Sequence, residues 1–247
     1  SARSKNPFEF ASFGQGEYMR ALEQQAQAEM ITKVLYTSDN HEEGKILRLK
    51  QEYFLVSAAM QNITTDHYKR YGNFDNFSSL VAVHINDTHP ALCGPELMRI
   101  FIDDYGFSWD HAWSIVKSVC AYTNHTVMSE ALEKWPLDMV KRILPRVTMI
   151  IEEINRRLMI SLQDVYPNDW GKQKWMAIIA DNQVFMANLC LATCFAINGV
   201  SGLHTKILKL PQLLQVSRVF ADTFQISWVA IIIKKSWGQR QPVPNSA

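Results

Sequence analysis

The sequence predicts an α/β fold that is rich in helices and contains parallel strands. A short apolar run at residues 80–85 precedes a polar loop and a helical pattern, and the same order recurs after residue 119. Long segments with apolar residues three or four positions apart predict helices on either side of these units. Strands that alternate with helices are typical of a parallel sheet.

The first part of the chain predicts two helices separated by a polar loop. Residues 17–30 are rich in Ala and Gln and favour the first helix. Residues 37–40, Thr-Ser-Asp-Asn, form the loop. Residues 45–71 predict a long helix, preceded by two glutamates that suit a helix N-terminus. Its buried stripe consists of Ile46, Leu49, Tyr53, Val56, Met60 and Ile63.

The two strand–loop–helix units follow. Residues 80–85 predict a strand, residues 86–90 a polar loop, and a helix begins at about residue 95. The second unit has a strand at residues 119–122 and a polar loop at residues 123–126. Because ligands bind at the carboxyl ends of the strands in open α/β sheets, we expect both loops to leave one sheet edge and share a pocket.

Helices also flank the second unit and fill the remainder of the chain. We expect helices at residues 109–118 and 130–135, then a helical region at residues 137–162 that Pro145 kinks or splits. A polar loop lies around residues 167–169. Residues 186–203 are apolar and rich in small residues, and they predict a buried helix and loop.

Composition narrows the class of protein. The 25 Lys and Arg residues against 24 Asp and Glu give a net charge of +1, which indicates neither a nucleic-acid partner nor an anionic membrane surface. Four cysteines in apolar segments indicate reduced thiols, and with no apolar segment long enough for a signal peptide or membrane span we expect a cytoplasmic protein. The Cys190 and Cys194 pair has no second ligand pair to complete a metal site.

Two interpretations of the polar loops remain open from the residues alone. His84, Asp87 and His89 are metal-ligand types, but loop Asp residues more often bond nearby backbone, and we predict no metal. Asp87, His89, Asn124 and His125 together suit the vicinal hydroxyls of a sugar, which are both donors and acceptors. Glu133, on the helix predicted after the second loop, faces either this pocket or solvent.

Four long segments resemble glycogen, starch and maltodextrin phosphorylases. They are KVLYTSDNHEEGKILRLKQEYF (residues 33–54), VAVHINDTHPALCGPELMRIFIDDYGFSWDHAW (residues 81–113), AYTNHTVMSEALEKWPLDMVKRILPR (residues 121–146) and QVFMANLCLATCFAINGVSGLHTKILK (residues 183–209). The resemblance implies an incomplete part of a Rossmann-like domain of the glycosyltransferase B type. It also implies cleavage of an α-1,4-glucan by inorganic phosphate to give glucose 1-phosphate, with pyridoxal phosphate as cofactor, in a cytoplasmic homodimer.

The resemblance also implies roles for individual residues. Asp39 looks like the acidic residue of the family's mobile gate loop, and His125 resembles the histidine that positions glucose at the cleaved bond, so these two are the candidate catalytic residues. The residues expected to bind substrate are Asn40, Asp87, His89, Asn124, Thr126, Ala131 and Glu133. The family's cofactor lysine is absent from this sequence.

The resemblance divides the chain in two. Residues 1–209 match the central part of the family's N-terminal domain, whereas residues 210–247 do not match its continuation, for which a frameshift or truncated reading frame is our hypothesis. Two functions therefore stay open. One is a glycosyltransferase whose active form is a longer, allosterically regulated chain, and the other is an inactive remnant that at most binds maltooligosaccharide.

Overall fold

The computed structural model describes residues 10–35, 38–126 and 132–201, and the chain divides into two compact units, residues 1–59 and 60–247. In the first unit, α1 (Phe10–Gly14) precedes α2 (Tyr18–Lys33). The long helix α3 (Glu42–Tyr71) begins in the first unit and ends in the second. The helices predicted at residues 17–30 and 45–71 are therefore confirmed, the second with Glu42 and Glu43 in its first turn.

The second unit contains a parallel sheet of three strands. These are β1 (Val83–Asn86), β2 (Cys120–Asn124) and β6 (Ala196–Gly199), with β2 in the centre. The two predicted strands are confirmed with small shifts in their bounds. The prediction of a helix and loop over residues 186–203 is wrong at β6, because a four-residue segment with little apolar pattern becomes a strand only by pairing with distant β2.

Short helices connect the strands. α4 (Phe77–Leu80) precedes β1, so Leu80 belongs to a helix and the strand begins three residues later than predicted. α5 (Cys93–Arg99) continues into a π-helix (Ile100–Asp104), and α6 (Trp109–Val119) leads into β2. Ser108 caps α6, since its side-chain oxygen accepts a hydrogen bond from the main-chain N–H of His111 (3.4 Å).

The rest of the second unit is helical, with a small antiparallel sheet. α7 (Leu137–Ile143) ends just before α8 (Pro145–Val165), which confirms that Pro145 splits this region. α9 (Trp170–Met176) and α10 (Met186–Thr193) follow. The small sheet has the order β3 (Lys134–Pro136), β5 (Gln183–Phe185) and β4 (Ile179–Ala180).

The small sheet corrects one prediction. Trp135 lies in β3 and not in a helix, because it pairs with Val184 of the distant strand β5 and its side chain is buried. The first residues of that predicted helix fall in residues 127–131, which lie outside the described part of the chain. None of the helices that the structure describes combines the length and apolar character needed to cross a bilayer.

The core of the second unit forms between the parallel sheet and its helices. α5 packs against α6 and α8, and α10 packs against β2. The apolar face of the sheet contributes the buried side chains Val83, Ile85, Tyr122 and Ile197. A cluster of aromatic rings lies beside α5, in which Phe74 and Phe77 meet Phe101 edge to face at centroid distances of 5.1 and 5.5 Å.

All four cysteines are buried free thiols. Burial raises the pKa of Cys93 and of Cys194 to about 12, so neither thiol is a reactive thiolate near neutral pH. The Lys117 ammonium donates hydrogen bonds to the main-chain oxygens of Ala192 (3.1 Å) and Cys194 (3.0 Å), and burial lowers its pKa. This contact ties α6 to the segment that leads from α10 into β6.

Gly94 permits close packing of α5 on α10, and its substitution is predicted to destabilise the second unit. A Cβ atom at Gly94 would lie 2.9 Å from the Cβ and Cγ2 atoms of buried Thr193. We expect Gly94→Ala to lower the free energy of unfolding by about 1–3 kcal/mol in urea denaturation. Gly171→Ala is the control, since the nearest atom to its Cβ is 3.7 Å away. Equal stability of the two variants would contradict the packing argument.

His67 is predicted to make the fold sensitive to acid. Its ring is buried, stacks on Phe74 (5.6 Å) and meets Phe77 edge to face (4.9 Å). Burial, aided by the charge of Arg70, lowers the pKa of His67 from its ordinary 6.5, so the unfolded chain binds this proton more readily than the folded chain.

His67 therefore makes its full contribution to the free energy of unfolding at neutral pH, and this contribution decreases as the pH drops below 6.5. Between about pH 7 and about pH 5, we expect the free energy of unfolding to fall less steeply in His67→Phe than in the wild type. His111→Phe, which changes an exposed histidine on α6, is the control for the loss of an imidazole. An unaltered slope in His67→Phe would contradict this assignment.

Candidate functional site

The carboxyl ends of the parallel strands bring two polar loops to one sheet edge. Asn86, the last residue of β1, lies opposite Thr123 of β2, and Thr123 lies opposite Asn198 of β6. The Asp87 N–H donates to the main-chain oxygen of Thr123 (2.9 Å), which extends the pairing by one residue. The prediction that the loops after residues 86 and 124 leave the same edge is thus confirmed.

Asp87 turns the chain sharply after β1. Its φ of 73° lies in the left-handed region, which among residues with a side chain is most accessible to Asn and Asp. Its Oδ1 atom accepts a hydrogen bond from the main-chain N–H of Thr88 (2.7 Å). Asp87 therefore has the local structural role expected for an Asp in a loop before a helix, and its carboxylate is held at the sheet edge.

His125 and Asn86 meet across the two strands at this edge. The Nε2 atom of His125 lies 2.6 Å from the Oδ1 atom of Asn86, and both side chains are exposed. Sequence reasoning did not single out Asn86 as a partner of His125. Alternation along β1 places Asn86 on the exposed face, but only the pairing of β1 with β2 brings it to His125.

Asn124 stabilises the second loop through two side-chain hydrogen bonds. Its Nδ2 atom donates to the hydroxyl of Tyr122 (2.9 Å), and its Oδ1 atom accepts from the main-chain N–H of Thr126 (3.0 Å). Asn124 is buried, and burial raises the pKa of Tyr122. The Asn124 amide therefore fixes the path of the loop from β2 to Thr126. A substrate contact by Asn124 or by Thr126 remains a prediction.

His89 and Glu133 come together from separate parts of the chain. The Nδ1 atom of His89 lies 3.6 Å from the Oε1 atom of Glu133, with the His89 side chain 53% exposed and that of Glu133 11% exposed. Glu133 does not lie on a helix as predicted. It immediately precedes β3. Its main-chain oxygen accepts a hydrogen bond from the N–H of Met186 (3.1 Å), the first residue of α10, and this bond extends the pairing of β3 with β5.

The three ligand types of the first loop make separate contacts. His84 contacts the Thr123 hydroxyl (2.6 Å), Asp87 holds the Thr88 N–H, and His89 faces Glu133. Among the described residues, His84, Asp87 and His89 do not gather their ligand atoms at metal-binding distances, nor does any cysteine join such a group. Ala131, the remaining candidate from the second loop, lies outside the described residues.

Asp39 and Asn40 lie in the first unit, in the loop just before α3. The Oδ2 atom of Asp39 accepts a hydrogen bond from the Nη1 atom of Arg48 (3.0 Å). The Nδ1 atom of His41 accepts from the main-chain N–H of Gly44 (2.9 Å), which caps the first turn of the helix. Arg48 was not identified from the sequence, since nothing in the pattern links it to Asp39 nine residues earlier.

Gly44 lets this loop fold against the first turn of α3. A Cβ atom at this position would overlap the main-chain oxygen of Ser38 and lie 2.9 Å from the Cε1 atom of His41. A glycine within the first turn of an otherwise ordinary helix was the sequence signal for such a close approach.

Comparisons with known proteins identify the family of this chain. The family model described as carbohydrate phosphorylase matches residues 1–235, and the chain belongs to this family. The glycogen phosphorylase of Bacillus subtilis (strain 168) is 44% identical over 203 residues, which cover 82% of this chain and 25% of that protein.

Glycogen phosphorylases from animals have nearly the same sequence identity to this chain. The muscle form of glycogen phosphorylase from Ovis aries is 42% identical over 237 residues, which cover 92% of this chain and 27% of that protein. The liver form from Homo sapiens is also 42% identical over 237 residues, covering 91% of this chain and 28% of that protein. The chain therefore spans about a quarter of the length of these relatives.

Substitution of Gly44 is predicted to displace the loop that carries Asp39. In Gly44→Ala the new methyl group cannot coexist with the main-chain oxygen of Ser38, so the hydrogen bond from Gly44 N–H to His41 should open. We expect faster amide hydrogen exchange over residues 39–45, by about tenfold or more. Lys45→Ala, an exposed neighbour on the same turn, is the control, and equal exchange in both variants would contradict the role of Gly44.

Proposed function

We propose that this chain supplies the sugar-binding half of an α-1,4-glucan phosphorylase site. The protein that contains it would use inorganic phosphate to cleave the terminal bond of the glucan and release glucose 1-phosphate. One observation carries the proposal: in a member of the carbohydrate phosphorylase family, polar loops from β1 and β2 meet at one sheet edge with Asp87, His89 and His125.

The chemistry of this edge suits a neutral, hydroxyl-rich ligand. Carboxylate and imidazole groups can pair with sugar hydroxyls, which both donate and accept hydrogen bonds. Phosphate recognition relies instead on Arg, Lys or clustered main-chain N–H groups. Residues 86–89, 124–126 and 199–201, which follow or end the three strands, contain no Arg or Lys. We therefore assign sugar binding, and not phosphate binding, to these described loops.

Each candidate residue has a distinct proposed role. Asp87 accepts hydrogen bonds from sugar hydroxyls with a carboxylate that its own turn holds in place. His89 contacts the neighbouring sugar, with Glu133 orienting its ring. His125 positions the glucose at the cleaved bond. Asn124 and Thr126 line the same cavity, the first through its hydrogen bond to the loop. Ala131, which lies outside the described residues, keeps its predicted role in substrate binding.

Asp39 and Asn40 form the proposed gate in the first unit. Asp39 would occupy the phosphate subsite in the inactive state, and Asn40 would contact glucose. The ion pair of Asp39 with Arg48 supports a defined loop position, yet it is partly exposed and therefore weak enough to be broken and reformed. Such a contact is suited to a loop that changes position during the reaction.

Pyridoxal phosphate is the cofactor expected for the family, but the residues described at this edge do not fit it. Covalent attachment needs a lysine amine and the cofactor phosphate needs cations, and residues 86–89, 124–126 and 199–201 provide neither. The amine of Lys117 instead donates to two main-chain oxygens. We therefore assign no step to the cofactor on this chain, and place its lysine in a longer protein.

We also propose a cytoplasmic, allosterically regulated homodimer as the form of the longer protein. The buried free cysteines support a reducing compartment. Exposed apolar side chains on α2, namely Tyr18, Met19, Leu22 and Met30, support a surface for self-association.

A binding-only role is the second candidate. The lack of cations at the described edge favours it for this chain alone, because a phosphorolytic reaction must hold phosphate beside the sugar. Measuring glucose 1-phosphate release from maltoheptaose, with phosphate and added pyridoxal phosphate, separates the two candidates. Binding of the sugar without turnover would support the binding-only role, and robust turnover by the chain alone would overturn it.

His125→Ala is predicted to weaken sugar binding. Loss of about one hydrogen bond to the bound glucose should raise the Kd for maltoheptaose by about tenfold in isothermal titration calorimetry. His111→Ala, which removes an exposed histidine from α6, is the control and should bind as the wild type does. If the His125 and His111 variants bind equally well, the proposed position of the sugar is wrong.

A further inference from the structure

We propose that Asn86 is a positioning residue that fixes the tautomer and orientation of His125. This inference rests on the proposed function for its consequence in sugar binding, but the contact itself lies wholly within the described second unit. The observation behind this inference is the 2.6 Å distance between the Oδ1 atom of Asn86 and the Nε2 atom of His125.

The chemistry of the contact determines which ring nitrogen of His125 carries the proton. An amide oxygen only accepts hydrogen bonds, so the Nε2 atom of His125 must carry the hydrogen that it shares with Asn86. In the neutral ring this leaves Nδ1 as the acceptor, which can receive a hydrogen bond from a sugar hydroxyl. The opposite tautomer would set two acceptors against each other at 2.6 Å. Asn86 therefore favours the form of His125 that accepts at Nδ1.

The backbone around Asn86 is held on both sides. Within β1, Asn86 lies opposite Thr123, and the next residue, Asp87, donates its N–H to the main-chain oxygen of Thr123 (2.9 Å). Asp87 then leaves the strand in the left-handed region, with its side chain bonded to the Thr88 N–H. A side chain on a paired strand is positioned more accurately than one on a loop, so Asn86 can orient the exposed ring of His125.

His84 lies on the same sheet face as Asn86 and is an internal control for the tautomer of His125. The Thr123 hydroxyl donates to the Oδ1 atom of Asn198 (3.1 Å), so it must accept from the Nε2–H of His84 (2.6 Å). The tautomer of His84 is thus fixed by Thr123 and not by Asn86. A change at Asn86 should alter the His125 ring and leave the His84 ring unaltered.

The test reads the two rings directly by two-bond ¹H–¹⁵N correlation NMR of the whole 247-residue chain, at a pH where the rings are neutral. His125→Gln and His84→Gln assign the signals. In the wild type we expect His125 as the Nε2–H form. Asn86→Leu, which keeps the volume and removes the acceptor, should raise the Nδ1–H fraction of His125 by at least about threefold. This change corresponds to about 0.7 kcal/mol, which is within the range of one net hydrogen bond.

Asn86→Asp is the conservative variant, because it retains an acceptor oxygen and should retain the Nε2–H form of His125. Asn62→Ala removes a surface amide from α3 and is the control for general effects. An Nδ1–H form of His125 in the wild type, or an unaltered ratio in Asn86→Leu, would overturn the proposal. A simultaneous change at His84 would also overturn it, because the effect would then be one of folding.

Sugar binding separates this inference from the function on which it rests. Asn86→Leu should weaken maltoheptaose binding by about threefold to tenfold, and the double variant with His125→Ala should bind no more weakly than His125→Ala alone. Additive losses would show that Asn86 acts independently of His125 and would overturn the positioning role. If the wild type binds no maltoheptaose while the tautomer results hold, the proposed function fails and the assignment of Asn86 as the partner of His125 stands.

Discussion

The parallel pairing of β1 with β2 is the constraint on which the candidate site depends. This register sets Asn86 opposite Thr123 and lets Asp87 donate to the same residue before the chain turns. A slip of one residue would move Asn86 to the buried face, since side chains alternate between the two faces of a strand. The contact between Asn86 and His125 exists only in the register that the buried residues of β1 enforce.

The sheet has two faces of different character. Val83 and Ile85 are buried on one face, whereas His84 and Asn86 are exposed on the other. Both faces of a parallel sheet are usually covered by apolar packing. Here the second face instead carries hydrogen bonds that run from His84 through Thr123 to Asn198, across all three strands. These bonds connect the edge of the site to strand β6, which contributes no candidate residue of its own.

Packing behind the sheet keeps this edge in place. Gly94 lets α5 approach Thr193 at the end of α10, and Lys117 ties α6 to the segment between α10 and β6. Both contacts hold β6 near β2, although neither touches the candidate site. The local arrangement of Asp87 and His125 is therefore a product of helix packing as much as of the loops themselves.

The sequence by itself determined the features that depend on neighbouring residues. Ala- and Gln-rich composition defined α2, helical periodicity defined α3, and Pro145 separated α7 from α8. The two predicted strands and the polar residues after them placed both loops at one sheet edge. The long motifs also indicated the family to which the chain belongs. These signals are local, because helix formation and strand alternation act over a few residues.

Only the tertiary structure decided the features that depend on distant partners. β6 and β3 become strands by pairing with β2 and β5, so their short segments carry little signal of their own. Glu133 reaches His89 because β3 pairs with β5, and Asn86 reaches His125 because two strands lie side by side. Such contacts join residues about forty positions apart, and their stability comes from packing that no local pattern encodes.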